Sequence, residues 1–251
     1  MIRETMVHKF DDLDDAIDML ANRIIGLAKG AIVQRNRFNL VLTGGSSPKK
    51  LYKLLATKYR DAIQWDMFFF FIGDERYVPA DHPDYNMAMA RENLLKPLGI
   101  KEDHIFAVNT DLSPADAAAD YKQKISDHFD GREIIFDYVL LGMGADAHTA
   151  SLFPGTTILN ATSPSVEAVF VDKLDAWRIS MTASMINNAK EIAFLAFGAE
   201  KSDALYHVLT NKANKEYPAS LIQGNIMWFV DAGITAHFER LSEPGPQSMG
   251  L

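Results

Sequence analysis

The 251-residue chain contains no cysteine. Disulfide bonds, thiolate nucleophiles and cysteine-ligated zinc are therefore excluded. Basic residues are in deficit: 25 Lys and Arg against 33 Asp and Glu leave a formal charge of −8. This argues against a general nucleic-acid binder, whose phosphate affinity needs basic surface. An anionic small molecule stays open, because a few cations in a cleft override the overall sign. Long hydrophobic runs are missing as well. Even residues 67–72 are only strand-sized, far short of a membrane span, and the first residues lack the basic-then-apolar order of a signal peptide. The expectation is a cytoplasmic protein with no membrane or nucleic-acid partner.

What is present is the balance of a globular chain with a sizeable core, 48% hydrophobic and 23% charged. Leu13, Ile17, Leu20, Ile24 and Leu27 recur at spacings of four and three, which predicts a helix over 13–30. Asp11, Asp12, Asp14 and Asp15 lie at its positive end, as helix electrostatics and not a metal site. Apolar runs at 38–42, 67–72, 105–108, 138–141, 166–171, 178–181, 191–197 and 226–230 read as strands. Helical patterns follow Pro48, cover 87–95 and 202–209, and cover 114–129 behind an N-cap at Ser113; Asp231 opens a last one. This alternation predicts an α/β fold: three αβα layers around a mainly parallel, Rossmann-like sheet, with a small antiparallel excursion at 166–181. No repeat or linker interrupts residues 1–240, read as one domain. Residues 241–251 have linker composition and are expected to form a flexible tail.

Three stretches carry chemistry. The run at 138–141 stops at Gly142 and Gly144, and Asp146 and His148 come directly after. Ligands of open α/β sheets bind beyond the carboxyl ends of strands, so an acid and an imidazole stand where a catalytic pair belongs. The plainer reading is solvated turn chemistry. Thr43-Gly-Gly-Ser-Ser-Pro-Lys-Lys50 joins a strand to a helix start, with Ser47 expected as N-cap and Pro48 at the first helical position. Free N–H groups there make an anion cradle. Lys49 and Lys50 oppose the helix dipole, a cost that a bound phosphate would offset. The plainer reading is a tight turn with solvated lysines. Neither the P-loop spacing nor Gly-x-Gly-x-x-Gly is present. Gly73-Asp-Glu-Arg76 ends the next strand, as an exposed turn or with Arg76 reaching into the same cleft. His82, beside Pro83, reads as a loop residue.

In order along residues 10–236, these segments resemble the 6-phosphogluconolactonases. The resemblance rests on Thr43-Gly-Gly-Ser-Ser-Pro48, Gly73-Asp-Glu-Arg76 with Asp84-Tyr-Asn86, and Gly142-Met-Gly-Ala-Asp-Ala-His-Thr-Ala-Ser-Leu-Phe-Pro154. Arg178-Ile-Ser-Met-Thr182, Gly198-Ala-Glu-Lys201 and Pro218-Ala-Ser220 complete it. It implies hydrolysis of 6-phosphoglucono-1,5-lactone to 6-phosphogluconate in the oxidative pentose phosphate pathway, with no cofactor and no metal. His148 is then the general base, Asp146 orients it, and Arg76 or loop N–H groups near Gly142 and Gly144 meet the oxyanion. Gly44, Gly45, Ser46 and Ser47 hold the phosphate, with Arg178 and Lys201 as counter-charges. Asp74, Asn86, Gly142 and Gly144 touch the rest of the substrate.

Two positions depart from the family pattern. Ala147 stands where the family carries glycine, and at positive φ it costs about 1 kcal/mol. Tyr85 stands where serine is usual. Other readings are a glucosamine-6-phosphate deaminase or isomerase and a noncatalytic phosphosugar sensor. The first is disfavoured because Thr149-Ala-Ser-Leu-Phe-Pro154 lacks the acid that such enzymes place after the histidine. Whether the chain is a homo-oligomer is left open.

Overall fold

The computed structural model of the protein describes residues 5–211 and 213–235. The tail expected at 241–251 lies outside the described residues. Strand β1 (Thr5–Phe10) leads to helix α1 (Leu13–Arg35), then β2 (Phe38–Leu42), α2 (Ser46–Thr57) and β3 (Phe68–Ile72). A three-residue strand β4 (Asp74–Arg76) precedes α3 (Asn86–Ala90), which runs through a π turn at Arg91–Leu95 into α4 (Lys96–Leu98). Then come α5 (Pro114–His128), β5 (Tyr138–Gly142), β6 (Val166–Val171) and β7 (Ala176–Met181). Helix α6 (Ala183–Ile186), β8 (Ile192–Ala196), α7 (Ser202–Thr210) and β9 (Ile226–Asp231) follow.

Six strands form a wholly parallel sheet in the order β1-β9-β8-β5-β2-β3. Strands β2, β8 and nearly all of β5 are buried along their length, as expected when helices cover both faces. Parallel connections are right-handed as a rule, which expects α1 and α2 on one face, where they pack on each other, and α5 and α7 on the other. The chain steps from β2 outward to β3, returns to β5 on the other flank of β2, and continues to β8 and β9. The sheet therefore reverses direction between β2 and β5, and the loops leaving these two strands part to form a crevice.

The antiparallel excursion forms a second sheet, of order β4-β7-β6. Gly73 is shared between the sheets: its N–H donates to Leu42 O at 2.9 Å and its carbonyl accepts from Met181 N at 2.9 Å. The sequence-based reading of 74–76 as a possible exposed turn is thus corrected. Glu75 is fully buried and accepts from the N–H groups of Arg76, Asn86 and Met87 at 2.9, 2.6 and 2.9 Å. Those donors stitch the charged segment to the start of α3.

Other boundaries differ too. Residues 105–108 do not form a strand; Ile105 makes a single isolated bridge to Phe70 of β3, the strand at that end of the sheet. Strand β1 was not evident in the sequence; it pairs with β9 alone and leaves Met6 and Val7 partly exposed. Helix α2 is capped by Gly45 and not by Ser47. Gly45 has φ 116°, a conformation suited to glycine, and the helix begins right after it. Ser113 and Asp12 do cap their helices, each accepting a bond from a first-turn N–H. The lysines of α2 turn away from the crevice. Lys50 pairs with Asp14 of α1 at 3.2 Å, so its conflict with the dipole is met by an acid of the fold.

Candidate active site

The crevice is a cleft of about 420 Å³. The loop after β2 contributes Gly44, Gly45, Ser46 and Ser47. The N-terminus of α2 has no side-chain cap, so its first N–H groups are left for a ligand. Gly44 must be glycine: a Cβ there would collide with the Asn86 side chain. Asn86 is buried, its Nδ2 donates to Asp74 O at 2.9 Å, and its Oδ1 has no protein donor. An unsatisfied buried acceptor beside a cleft calls for a donor from the ligand.

The end of β5 and the loop after it supply Gly142, Gly144 and His148 to the same cleft. Asp146 does not line it; the carboxylate stands behind the ring, with Oδ1 2.5 Å from His148 Nδ1. Burial works to raise the Asp146 carboxyl, but the Lys173 ammonium and the His148 ring outweigh it and hold the group down at about 2. An ionised carboxylate only accepts, so the proton in this bond is carried by Nδ1. Phe153 stacks on the imidazole, centroids 4.1 Å apart, and closes one side of it. A Cβ at Gly144 would collide with that imidazole, so this glycine makes room for it. The Gly144 N–H donates to His148 O at 2.9 Å. It is therefore withdrawn as an oxyanion donor, which corrects that part of the sequence-based expectation.

Ala147 has φ 60° and is fully buried. The strain anticipated for alanine in place of glycine is real, and its buried methyl offsets it by about 0.8 kcal/mol. Its carbonyl also accepts from Ala219 N at 2.8 Å, which fixes the loop. Tyr85, the other departure, points into the core and donates to Val108 O at 2.6 Å.

The second sheet provides the far wall: Asp74, Arg76 and Arg178. Ser151 Oγ donates to Asp74 Oδ2 at 2.6 Å, which leaves the other carboxylate oxygen for a ligand. Arg76 and Arg178 are directly opposed across β4 and β7. Like charges in that position repel. Burial first, then the Arg76 charge, lowers the Arg178 pKa. Arg76 Nη1 bonds Asp84 O and Arg178 Nη1 bonds Trp177 O, at 2.9 and 3.1 Å, so both forks keep donors. Lys201, at the start of α7, completes the cationic side. Among the described residues no cluster of three or more His, Asp or Glu has metal-binding geometry.

Sequence reasoning missed Lys173, Ser151, Phe153 and Glu75. All but Lys173 lie inside motifs already singled out, and Glu75 left the plainest signal, an acid at a strand end. Its burial pushes it up to about 8, against three N–H donors that favour the charged form.

A family model described as glucosamine-6-phosphate isomerases/6-phosphogluconolactonase matches residues 11–228. The 6-phosphogluconolactonase of Nostoc sp. is 41% identical over 213 residues, 82% of this chain and 87% of the relative. That of Synechocystis sp. is 38% identical over 209 residues, 80% of this chain and 85% of the relative. The solved 6-phosphogluconolactonase of Trypanosoma cruzi, 26% identical, superposes with a TM-score of 0.85 over 97% of this chain and 99% of its own. With this fold, this cleft and these relatives, the chain belongs to the glucosamine-6-phosphate isomerase/6-phosphogluconolactonase family.

Proposed function

We propose that the protein hydrolyses 6-phospho-D-glucono-1,5-lactone to 6-phospho-D-gluconate, with His148 as general base. The observation that carries this reading is the joint occupancy of one cleft. A braced imidazole faces it from the β5 loop, while a helix start without a side-chain cap and the cations Arg76, Arg178 and Lys201 face it from the other elements, beside Lys173, which is paired with Asp146. A phosphorylated sugar with a reactive carbonyl matches that division of charge.

A lactone carbonyl is already electrophilic, so the reaction needs a positioned water, a base and an oxyanion partner. His148 Nε2 takes a proton from water as the water oxygen bonds to the carbonyl carbon. The imidazolium is favoured by the Asp146 carboxylate behind it. Arg76 meets the developing oxyanion, since the Gly144 N–H is engaged within the loop. Collapse of the tetrahedral intermediate breaks the bond to the ring oxygen, which receives the proton from His148. The Asn86 Oδ1 and the free oxygen of Asp74 accept bonds from sugar hydroxyls, which relieves the buried acceptor. The phosphate lies against Gly44–Ser47, Arg178 and Lys201.

The test is release of 6-phosphogluconate from freshly made lactone, coupled to 6-phosphogluconate dehydrogenase and corrected for spontaneous hydrolysis. Catalysed release supports the assignment. A rate equal to the uncatalysed one, from folded protein, ends it.

A further inference from the structure

Lys173 lines the cleft beside the imidazole, yet its ammonium is turned to the Asp146 carboxylate. It sits in the one-turn 3-10 segment Asp172–Leu174 that joins β6 to β7, at the tip of a hairpin reaching from the small sheet to the β5 loop. Its ammonium bonds Asp146 Oδ2, while Asp146 Oδ1 holds the imidazole at 2.5 Å. The same ammonium lies 4.6 Å from the centroid of the Phe153 ring, the ring on which His148 stacks. One cation thus bears on both supports of the imidazole, the carboxylate behind it and the phenyl beside it. Two contacts converging on one residue's supports from another sheet are more than a surface ion pair, which by itself is worth little.

We propose that Lys173 is a positioning residue: it clamps Asp146 and Phe153 so that His148 is held at the angle needed to address the substrate carbonyl. The inference deepens the reading above and rests on it. Lys173 shares the carboxylate with the imidazole and adds a positive charge nearby, so it also tempers how strongly Asp146 favours the protonated ring. The charged groups facing this assembly are Asp146 on the loop, Asp172 and Asp175 beside Lys173, and Asp74, Arg76, Arg178 and Lys201 across the cleft.

The variants are Lys173→Met, which keeps an aliphatic stem over Phe153, and Lys173→Arg, which keeps the charge. For Lys173→Met, kcat should fall about 3- to 10-fold with KM within about 2-fold, and the acid limb of the kcat/KM profile should move about half a pH unit upward. Lys173→Arg should restore most of both. The His148 ring resonance, titrated by NMR without substrate, should move in the same direction in Lys173→Met. That measurement needs no turnover, so it separates failure of the clamp from failure of the lactonase assignment. Wild-type kcat with an unmoved titration overturns the proposal. So does a rise confined to KM for the phosphorylated lactone, which would make Lys173 a substrate contact. Matching thermal melts of the variants and wild type establish that the fold is intact.

Discussion

The two ends of the parallel sheet treat charge in opposite ways. At the amino ends of the strands, acids are buried and answered. Glu191, with 4% of its side chain exposed, takes a two-point bond from Arg23 at 2.8 and 2.6 Å. Asp137, equally buried, is met by Arg35, Lys190 and the Asn39 N–H at 2.6, 2.7 and 2.9 Å. A groove of about 530 Å³ opens there, yet its central acid is already satisfied. At the carboxyl ends the pattern inverts. Arg76 and Arg178 face each other across a ladder, Asn86 Oδ1 has no protein donor, and helix α2 starts without a side-chain cap. A fold tolerates such an end when something else completes it. Strain of this kind marks a ligand site more sharply than the size of a groove does.

The contrast can be broken at several points. The largest effect is expected from His148→Ala, which should slow catalysed lactone hydrolysis by about 10²–10⁴-fold. Phosphosugar binding should survive, and wild-type turnover in this variant would remove His148 from the mechanism. Arg178→Ala should raise KM for the phosphorylated lactone about 30- to 100-fold, the size of a lost charge-assisted contact. An unphosphorylated lactone should barely notice; equal effects on both would refute the phosphate assignment. At the opposite end, Arg23→Ala should leave kcat and KM alone and destabilise the fold. Breaking a buried pair costs roughly 3–5 kcal/mol, and since Arg23 is 40% exposed the expected loss is about 2 kcal/mol. Chemical denaturation measures it, and a change in KM instead would undo the division between the two ends.

The smallest prediction concerns pH. Burial first, then the Arg37 charge, draws His128 down from 6.5 to about 4. The unfolded chain takes up the proton as pH falls through 6.5, while the folded chain resists until about 4, so stability is lost across that window. The ring is only half-buried, which limits the loss to about 1–2 kcal/mol. Glu75 acts the other way: raised to about 8, it favours the folded state increasingly as pH falls from 8 towards 4.5. The His128 share is therefore the slope that His128→Gln removes. A ring that titrates near 6.5 in the folded protein would contradict it.

Much of this was readable beforehand. Strands buried on both faces announce themselves as unbroken apolar runs, which is why β2 and β5 were found nearly to the residue. An edge strand need not be apolar, so β1 was missed, and the short apolar stretch at 105–108 meets β3 at a single bridge and goes no further. The loops were legible because glycines and their neighbours must stand in fixed local order to open a helix without a side-chain cap or to seat an imidazole. Lys173 was illegible for the complementary reason. It meets Asp146 across 27 residues of chain and between two sheets, and nothing in local order records such a meeting.

The shared residue Gly73 gives the molecule a further property. The histidine rides on one sheet and two of the cations on the other, and one residue is hydrogen-bonded to both. It works like the pivot of a pair of calipers, whose jaws are the histidine loop and the arginine ladder. The jaw opening is then set by backbone hydrogen bonds, so the separation of histidine and arginines does not depend on any side-chain contact.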